Sequence, residues 1–492
     1  MKRSFILTII LLILFLVGFI SVSAVINAQR DQVVFEGTVL YGDHSAAEGI
    51  LVSLHNQCSY HLHWDTAYRF GAQSGQDDIH TAYTYTQRKQ YTQSTNQRYT
   101  GVSLGLMTNW SASSNTDMNL AALDECCMKS ILVDVASRTR PGETHTEQIR
   151  VADYYEFYPL ICSLELPRYH DSTMDEGCTD RAAITENESP CRVIAARFPI
   201  PVLPNHQITV SIQKDAAGSV VEASLNETKT SDIQGSDLEL WSYSCTGTDA
   251  CYFVLARASA QMDFSQFPDG YGIYRIPYSA SGQQTARIDI DEFENIYPLE
   301  EEATIAELTL SQNERQIQLL TWENGTYYLT VIDIEKKSAL QKLALIDCPA
   351  NVGIGRFYSG ENFIAIYTND RKWIVLESSE DGMFRSVFTV DASSPDLSEQ
   401  LYRNVLYYAW DGKRLAIAAQ NNYFDGNDIC GFQLIVYDAA GLQYAGQFRS
   451  SLGTANDLPY SLLCRPEHDA LCLSFSDVQE SSSPDRPQPI FP

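Results

Sequence analysis

The chain is poor in basic residues. It has 34 Lys and Arg against 62 Asp and Glu in 492 residues, a formal net charge of −28 and a pI near 4.6. Because a phosphate backbone is held mainly by clustered Lys and Arg, this balance argues against nucleic acid as a partner. It argues equally against a peripheral domain held on anionic lipid.

Several catalytic motifs are also missing. The sequence has no Gly-x-Ser-x-Gly, no Gly-x-x-x-x-Gly-Lys and no Gly-x-Gly-x-x-Gly opening a helix. These absences exclude the common signatures of a serine hydrolase, a phosphate-binding loop and a dinucleotide fold. A carboxylate-based glycosidase stays open, since it needs little local signature.

Only one long apolar run occurs, Phe5–Ile26, and it follows Lys2 and Arg3. As a helix this run crosses about 30 Å of hydrocarbon, and the two cations favour a cytoplasmic N-terminus. Val22–Ala24 also fits a cleavage signal. Residues 1–30 are therefore predicted to be a signal-anchor that holds the remaining domains outside the cytoplasm, with secretion after cleavage near Ala24 as the alternative.

The rest of the composition is that of a folded, mainly β protein. Hydrophobic residues make up 44% and aromatic residues 11%, with 28 Tyr and 27 Gly but only 18 Pro. Tyrosine favours strands and glycine favours tight turns. The length is too great for one ordinary core and predicts several domains.

Internal similarity is the strongest signal. Ile208–Leu225 and Leu434–Phe448 each contain an alternating strand, the turn Asp-Ala-Ala-Gly and a second short strand. Glycine at the end of the turn indicates a positive φ and hence a hairpin.

Between these two segments the chain divides into units of four strands. The four complete units are Leu238–Ile290, Ile305–Asp347, Asn351–Val390 and Leu401–Phe448. Residues 206–227 and 458–477 each offer two further strands, and their pairing would complete a fifth unit. This arrangement resembles a β-propeller of about five blades over residues 205–478, at the level of architecture only. Residues 479–492 are predicted to form a disordered tail.

Residues 31–204 do not share the repeat and are predicted to form an α+β domain. Its start alternates as strands do, over Val33–Tyr41, Gly49–His55, Ser59–Phe70, Ile79–Thr86 and Tyr99–Met107. Apolar residues at three- and four-residue spacing predict a helix over Asp117–Arg138 and suggest a second within Glu147–Ile161.

Twelve cysteines in an exported chain indicate disulfides. The predicted bridges are Cys245–Cys251, Cys464–Cys472 and Cys178–Cys191. The first two pairs flank the same predicted turn in two units, and the third brackets a polar loop. The alternative is that these cysteines are small buried thiols.

His61, His63 and Asp65 form the best candidate metal site. Residues two apart on a strand share a face, so these three side chains could bind zinc and leave a fourth position for water. The string resembles the His-x-His-x-Asp-His signature of metallo-β-lactamase-like hydrolases, with Thr66 in place of the final His. The alternative is a polar strand face with a packed tryptophan behind it.

Two further segments are candidate sites. The acidic run Asp289–Glu307 could hold calcium, although a solvated connection between units explains it as well. The insertion Asn421–Cys430 is long, polar and aromatic, which is typical of a binding loop. Its candidate contact residues are Tyr423, Phe424, Asp425, Asn427 and Asp428.

These observations favour a membrane-anchored extracytoplasmic binding or scaffold protein. Its partners would be the membrane, through the N-terminal helix, and a protein, peptide or glycan, with no nucleic acid and no obligatory cofactor. The alternatives are a hydrolase acting on cell-surface polymers, carboxylate-based or metal-dependent, and a sensory ectodomain.

Overall fold

The computed structural model describes residues 11–18, 20–21, 33–58, 62–73, 75–85, 101–107, 109–166, 169–172, 189–227, 240–257, 262–279, 286–300, 303–348, 353–379, 381–392, 406–420, 431–452 and 464–475. Within these ranges the protein is mainly β, with 29 strands in seven sheets. This confirms the mainly β fold class.

The strands of the first half run from β1 to β11. They are β1 (Phe35–Gly42), β2 (Ile50–Cys58), β3 (Leu62–Arg69), β4 (Asp78–Tyr85), β5 (Gly101–Leu106), β6 (Asn109–Ser113), β7 (Thr144–Arg150), β8 (Leu160–Leu166), β9 (Tyr169–Ser172), β10 (Gln207–Lys214) and β11 (Val220–Glu227). The helices are α1 (residues 11–18 and 20–21), α2 (Lys129–Arg138) and α3 (Pro190–Ala196).

The second half contains strands and short 3₁₀ turns. Its strands are β12 (Leu240–Thr246), β13 (Ala250–Arg257), β14 (Gly272–Ser279), β15 (Arg287–Ile288), β16 (Glu294–Pro298), β17 (Thr304–Leu310), β18 (Gln316–Glu323), β19 (Thr326–Asp333), β20 (Ser338–Asp347), β21 (Ile354–Ser359), β22 (Phe363–Thr368), β23 (Lys372–Ser378), β24 (Phe384–Asp391), β25 (Leu406–Trp410), β26 (Leu415–Gln420), β27 (Phe432–Asp438), β28 (Gly441–Ser450) and β29 (Cys464–Phe475).

Four sheets follow the four predicted units. Repeat sheet 1 contains β12–β15 with β16 also on β14, repeat sheet 2 contains β17–β20, and repeat sheet 3 contains β21–β24. Repeat sheet 4 contains β25–β28 and adds β1 outside β28. Each contains a four-strand meander in which consecutive strands pair, because short Gly- and Asp-containing turns separate runs of alternating side chains. The four units are confirmed.

The predicted closure by residues 206–227 and 458–477 is wrong. β10 and β11 form the expected hairpin, with Gly218 at φ +92°, but they pair with β7 and β6. β29 is one strand rather than a hairpin, and it pairs with β2. The sheet of β29, β2, β3 and β4 is called the closing sheet below. A strand with alternating apolar and polar residues can form backbone hydrogen bonds with any open sheet edge, so its partner is selected by tertiary packing.

The separate α+β domain over residues 31–204 is not confirmed. β1 and β2 pair with β28 and β29, while β6 and β7 pair with β11 and β10. β1 and β2 thus complete sheets with strands of the second half, and β6 and β7 complete a sheet with the hairpin that follows residue 204.

The helix predicted over Asp117–Arg138 is shorter than expected. The α-helical part is Lys129–Arg138, and 3₁₀ turns occupy Leu120–Ala122 and Glu125–Cys127. Met128 interrupts the run at φ +53°, in the left-handed region that an α-helix cannot contain. The second helix, within Glu147–Ile161, is wrong, since this segment contains the end of β7 and the start of β8.

The chain divides into two compact units. Unit 1 comprises Met1–Gln97, Gly355–Ser379 and Phe384–Pro492, and unit 2 comprises Arg98–Ile354 and Glu380–Met383. Repeat sheets 3 and 4 and the closing sheet belong to unit 1. Repeat sheets 1 and 2 belong to unit 2, with a sheet of β5, β8 and β9 and a sheet of β6, β11, β10 and β7.

Repeat sheet 4 is buried on both faces within unit 1. Phe432, Leu434 and Val436 on β27 pack toward the closing sheet. The alternate residues Ile435 and Tyr437 pack toward repeat sheet 3. Because side chains alternate along a strand, β27, which is apolar from Phe432 to Tyr437 except for Gln433, supplies both cores.

The core of unit 2 combines all four of its sheets with both of its α-helices. On α2, Ile131, Leu132 and Val135 are fully buried at three- and four-residue spacing. One face of α2 therefore packs into the core, as its apolar periodicity predicts.

Candidate functional site

The predicted metal site falls on β3, in the closing sheet. His61 lies outside the described residues. His63 is 2% exposed, while the side chain of Asp65 is 26% exposed. Among the residues that the structure describes, no group of three or more His, Cys, Asp or Glu could hold a metal ion. The zinc site therefore stays a prediction.

Asp65 has a hydrogen-bond partner that the sequence analysis missed. Its Oδ1 lies 2.7 Å from Nδ1 of His55, which is directly opposite on β2. The two residues are ten positions apart, so only the strand register brings them together. The pair is partly exposed, and such a pair contributes at most about 1 kcal/mol to stability.

His44, Tyr68 and Asp77 form a buried polar network beside strands β2 and β3 of the closing sheet. His44 is in the 3₁₀ turn His44–Ala47 between β1 and β2, and it donates through Nε2 to Oδ1 of Asp77 at 2.8 Å. The same carboxylate accepts the Tyr68 hydroxyl at 2.7 Å and the Gly71 amide at 3.0 Å. The side chains of His44 and Asp77 are 8% and 11% exposed, so the network is almost sealed from solvent.

Tyr444 of β28 lies beside this network. Its ring is edge-on to that of His44, with 5.7 Å between ring centroids. Burial raises the pKa of Tyr444, and the Asp77 charge raises it further. Burial also raises the pKa of Tyr68, with its hydrogen bond to Asp77 as the second cause. Both phenols are therefore held neutral around a single carboxylate.

The network contains polar atoms that are not satisfied. Nδ1 of His44 and the hydroxyl of Tyr444 have no hydrogen-bond partner among the described residues. A buried polar atom without a partner costs about 1–3 kcal/mol, so such atoms are rare in native proteins. Two such atoms lie side by side here, on the His44 and Tyr444 rings that pack against each other.

Arg414 ties repeat sheet 4 to the segment that carries His44. Its guanidinium donates to the carbonyls of Ala46 and Glu48 at 2.9 and 3.1 Å, and Asp411 orients it at 2.8 Å. It also lies over the ring of Phe475 at the end of β29, 4.9 Å from the centroid. Arg414 thus contacts both chain segments that meet in the closing sheet.

The acidic run Asp289–Glu307 is not simply a solvated connection. Its residues Glu294–Pro298 form β16, which pairs with β14. Glu294 forms ion pairs with Arg275, at 3.5 Å, and with Lys337. Basic side chains therefore neutralise part of the run, and the calcium site stays a prediction.

The candidate binding loop lies outside the described residues, with Tyr423, Phe424, Asp425, Asn427 and Asp428. The strands on either side of it, β26 and β27, are adjacent antiparallel partners. The loop therefore connects two neighbouring strands of repeat sheet 4.

The prediction of a disulfide between Cys245 and Cys251 is wrong. Both thiols are free, since Cys245 lies opposite Tyr252 while Cys251 lies opposite Thr246. Directly opposite residues share a face of the sheet, so the two cysteines project to opposite faces. Burial raises the pKa of both thiols.

The other two bridges differ in outcome. Cys464 and Cys472 lie on the single strand β29, opposite Cys58 and Ser53 of β2. Five residues of extended strand separate these positions by about 17 Å, far beyond the reach of a disulfide, so this pairing is also wrong. Cys178 lies outside the described residues, and its bridge to Cys191 stays a prediction.

Comparisons with known proteins identify no family. No protein-family model matches the chain, and no curated protein matches it. Among solved structures, a periplasmic gluconolactonase from Pseudomonas aeruginosa is 10% identical, covering 82% of this chain and 95% of its own, at a TM-score of 0.28. A putative 6-phosphogluconolactonase from Bacteroides fragilis is 8% identical, with coverages of 81% and 94% and a TM-score of 0.29.

A β-propeller domain of Cps50 (Swd1) from Myceliophteria thermophila is also similar. It is 7% identical, covers 49% of this chain and 81% of its own, and has a TM-score of 0.22. Scores this low carry no functional inference. The architecture follows from the sheets themselves, because four meander sheets and one closing sheet built from both ends of the chain are typical of β-propeller repeat proteins.

Proposed function

We propose that this is a membrane-anchored extracytoplasmic binding or scaffold protein. Its β-propeller-like sheets present loops to a protein, peptide or glycan. The acidity of the chain favours partners that are neutral or basic, since a net charge of −28 repels acidic polymers.

The exposed apolar surface of α1 is the observation that supports the membrane anchor. Eight large apolar side chains between Leu11 and Ile20 are 47–71% exposed, on every side of the helix. A helix that is apolar all round needs a non-aqueous environment. On an insertion scale, eight such residues favour the membrane by about 2–5 kcal/mol. No helix among the described residues is itself long and apolar enough to span a membrane.

Fractionation of the full-length protein tests the anchor. We expect the protein in the membrane fraction after an alkaline wash, at its full mass, with protease access only from outside the cytoplasm. The double substitution Leu14→Arg and Phe15→Arg should release it from the membrane. Val34→Arg, at an exposed apolar residue beyond the predicted span, is the matched control. A soluble product cut near Ala24 would support secretion instead.

Partner binding needs a separate measurement. We expect glycan-array or peptide-array binding by the extracytoplasmic domains to be lost when Tyr423 and Phe424 are both changed to Ser, with the fold retained. Unchanged binding by this variant would remove the loop from the proposed function.

A hydrolase is the second candidate, and the His44–Asp77 pair favours it. Asp77 holds Nε2 of His44, and Nδ1 of His44 has no hydrogen-bond partner among the described residues. A carboxylate that holds a histidine in this way can orient it as a general base. Because the side chains of His44 and Asp77 are only 8% and 11% exposed, a substrate reaches this pair only if the segment that carries His44 moves. If this is a hydrolase of that kind, His44→Gln should abolish turnover of polymer substrates while keeping the fold. His55→Gln, which removes the partly exposed His55–Asp65 pair, is the control.

A further inference from the structure

In the part of the chain that the structure describes, no strand covers the outer edge of β1. β1 is the last strand of repeat sheet 4, paired with β28 on one side, and no other described strand pairs with it. Seven of its eight residues are exposed. An open edge presents a row of backbone donors and acceptors to any extended chain that approaches it.

β1 also lacks most of the features that protect strand edges. Its sequence, FEGTVLYG, contains no Lys, Arg or Pro, and a bulge near Leu40 is its one irregularity. Val39, Leu40 and Tyr41 are 46%, 43% and 52% exposed. By comparison, the edge strands β20 and β24 carry the exposed cations Lys342 and Arg385.

The position of β1 along the chain favours a second copy of this protein as the occupant. Thirteen residues, 22–34, separate the described end of α1 from β1, so the start of β1 lies within about 50 Å of the end of α1. Two copies anchored in one membrane therefore hold their β1 strands at a high effective concentration. This argument rests on the proposed membrane anchor.

Charge is compatible with self-pairing at this edge. The whole chain carries −28, which opposes contact between copies over most of the surface, but β1 has a single charged residue, Glu36. In an antiparallel pair of β1 strands, Glu36 opposes its own copy only in the register centred on Glu36. Every other register avoids placing like charges directly opposite each other.

We propose that two copies of this protein dimerise in the membrane by antiparallel pairing of their β1 edges. The pairing joins two copies of repeat sheet 4 into one continuous sheet. The dimer is isologous, so it closes without forming a fibre.

Site-specific photo-crosslinking of the full-length protein in membranes tests this pairing. A benzophenone amino acid at Thr38 should give a crosslinked dimer, whereas the same group at the exposed Ser338 of β20 should not. Equal dimer yields at both positions, or none at Thr38, would overturn the proposal.

A charge variant provides the second arm. Val39→Lys with Leu40→Lys should lower the crosslink yield at Thr38 by about tenfold, because lysines protect strand edges. Val133→Lys, at an exposed apolar residue of α2, should leave the yield unchanged. An unchanged yield in the double variant, with the same far-UV spectrum and thermal midpoint as wild type, contradicts edge pairing. Fractionation of the same samples reports separately on the anchor, and a soluble protein that still crosslinks at Thr38 would refute the anchor alone.

Discussion

At the scale of single residues, Asp77 shows why the sequence does not predict the buried network around His44. Its donors are Gly71 and Tyr68, close in sequence, and His44, which is 33 positions away. The fourth member, Tyr444, comes from the other end of the chain. No sequence spacing predicts that residues so far apart meet. His63 and Asp65, by contrast, are two positions apart, and the alternation of a strand predicts that they share a face.

Asp77→Asn should destabilise the protein by about 1–3 kcal/mol. The substitution removes a carboxylate that accepts three hydrogen bonds and leaves buried donors poorly satisfied. The free energy of unfolding in urea measures the effect. Asp78→Asn, at the neighbouring exposed residue, should change it by less than about 0.5 kcal/mol. An equal effect of both variants would argue against the network.

His206 should make the stability of unit 2 depend on pH. Burial lowers the pKa of His206 to about 4, from an ordinary value of 6.5. Between these values the unfolded chain binds the proton and the folded chain does not, so stability falls as pH falls from 6.5 to 4. The loss is at most about 3 kcal/mol.

The comparison of variants isolates this effect from other titrating groups. His206→Gln should show a smaller loss of unfolding free energy between pH 6.5 and 4 than wild type does. His145→Gln, at a residue that is 42% exposed, should retain the wild-type loss. Identical pH profiles for wild type and His206→Gln would contradict the prediction.

At the scale of elements, hairpins were predictable and their partners were not. Gly218 and Gly441 adopt positive φ at the ends of the two similar turns, as the sequence indicates. Yet one hairpin lies in repeat sheet 4 and the other pairs with β6 and β7. A turn is specified by a few adjacent residues, but the choice of neighbouring strand depends on the whole core.

Removal of β29 should destroy the closing sheet. Truncation after residue 463 takes away Leu471, Leu473 and Phe475, which are 3–8% exposed, and leaves β2 with an open edge. We expect aggregation and loss of the cooperative thermal transition of unit 1, measured by light scattering and calorimetry. Truncation after residue 478 removes only the predicted tail and is the control. A soluble first truncation with an unchanged transition would contradict the role of β29.

At the scale of the whole molecule, the two compact units differ in how the chain builds them. Unit 2 is formed almost entirely by the continuous stretch Arg98–Ile354. Unit 1 needs both ends of the chain, because β1 and β2 pair with β28 and β29. Folding of unit 1 therefore requires contacts between residues more than 400 positions apart, which are entropically costly to bring together.

A fragment of residues 98–354 should fold alone. All strands from β5 to β20 pair within this stretch, so no sheet loses a described partner. We expect a β-type circular dichroism spectrum and a cooperative urea transition. The fragment 33–97, which contains β1–β4 without β28 and β29, should show no cooperative transition. The opposite behaviour of the two fragments would contradict this division.

The sequence by itself determined the mainly β fold, the four repeat units and their turns, because alternation and turn chemistry are properties of adjacent residues. Only the tertiary structure decided that β29 closes on β2, that Asp65 bonds to His55, and that Cys245 and Cys251 face apart. Those outcomes depend on strand register, and a shift of one residue reverses every side chain. The His44–Asp77 network was likewise decided by packing between distant segments, which no local pattern encodes.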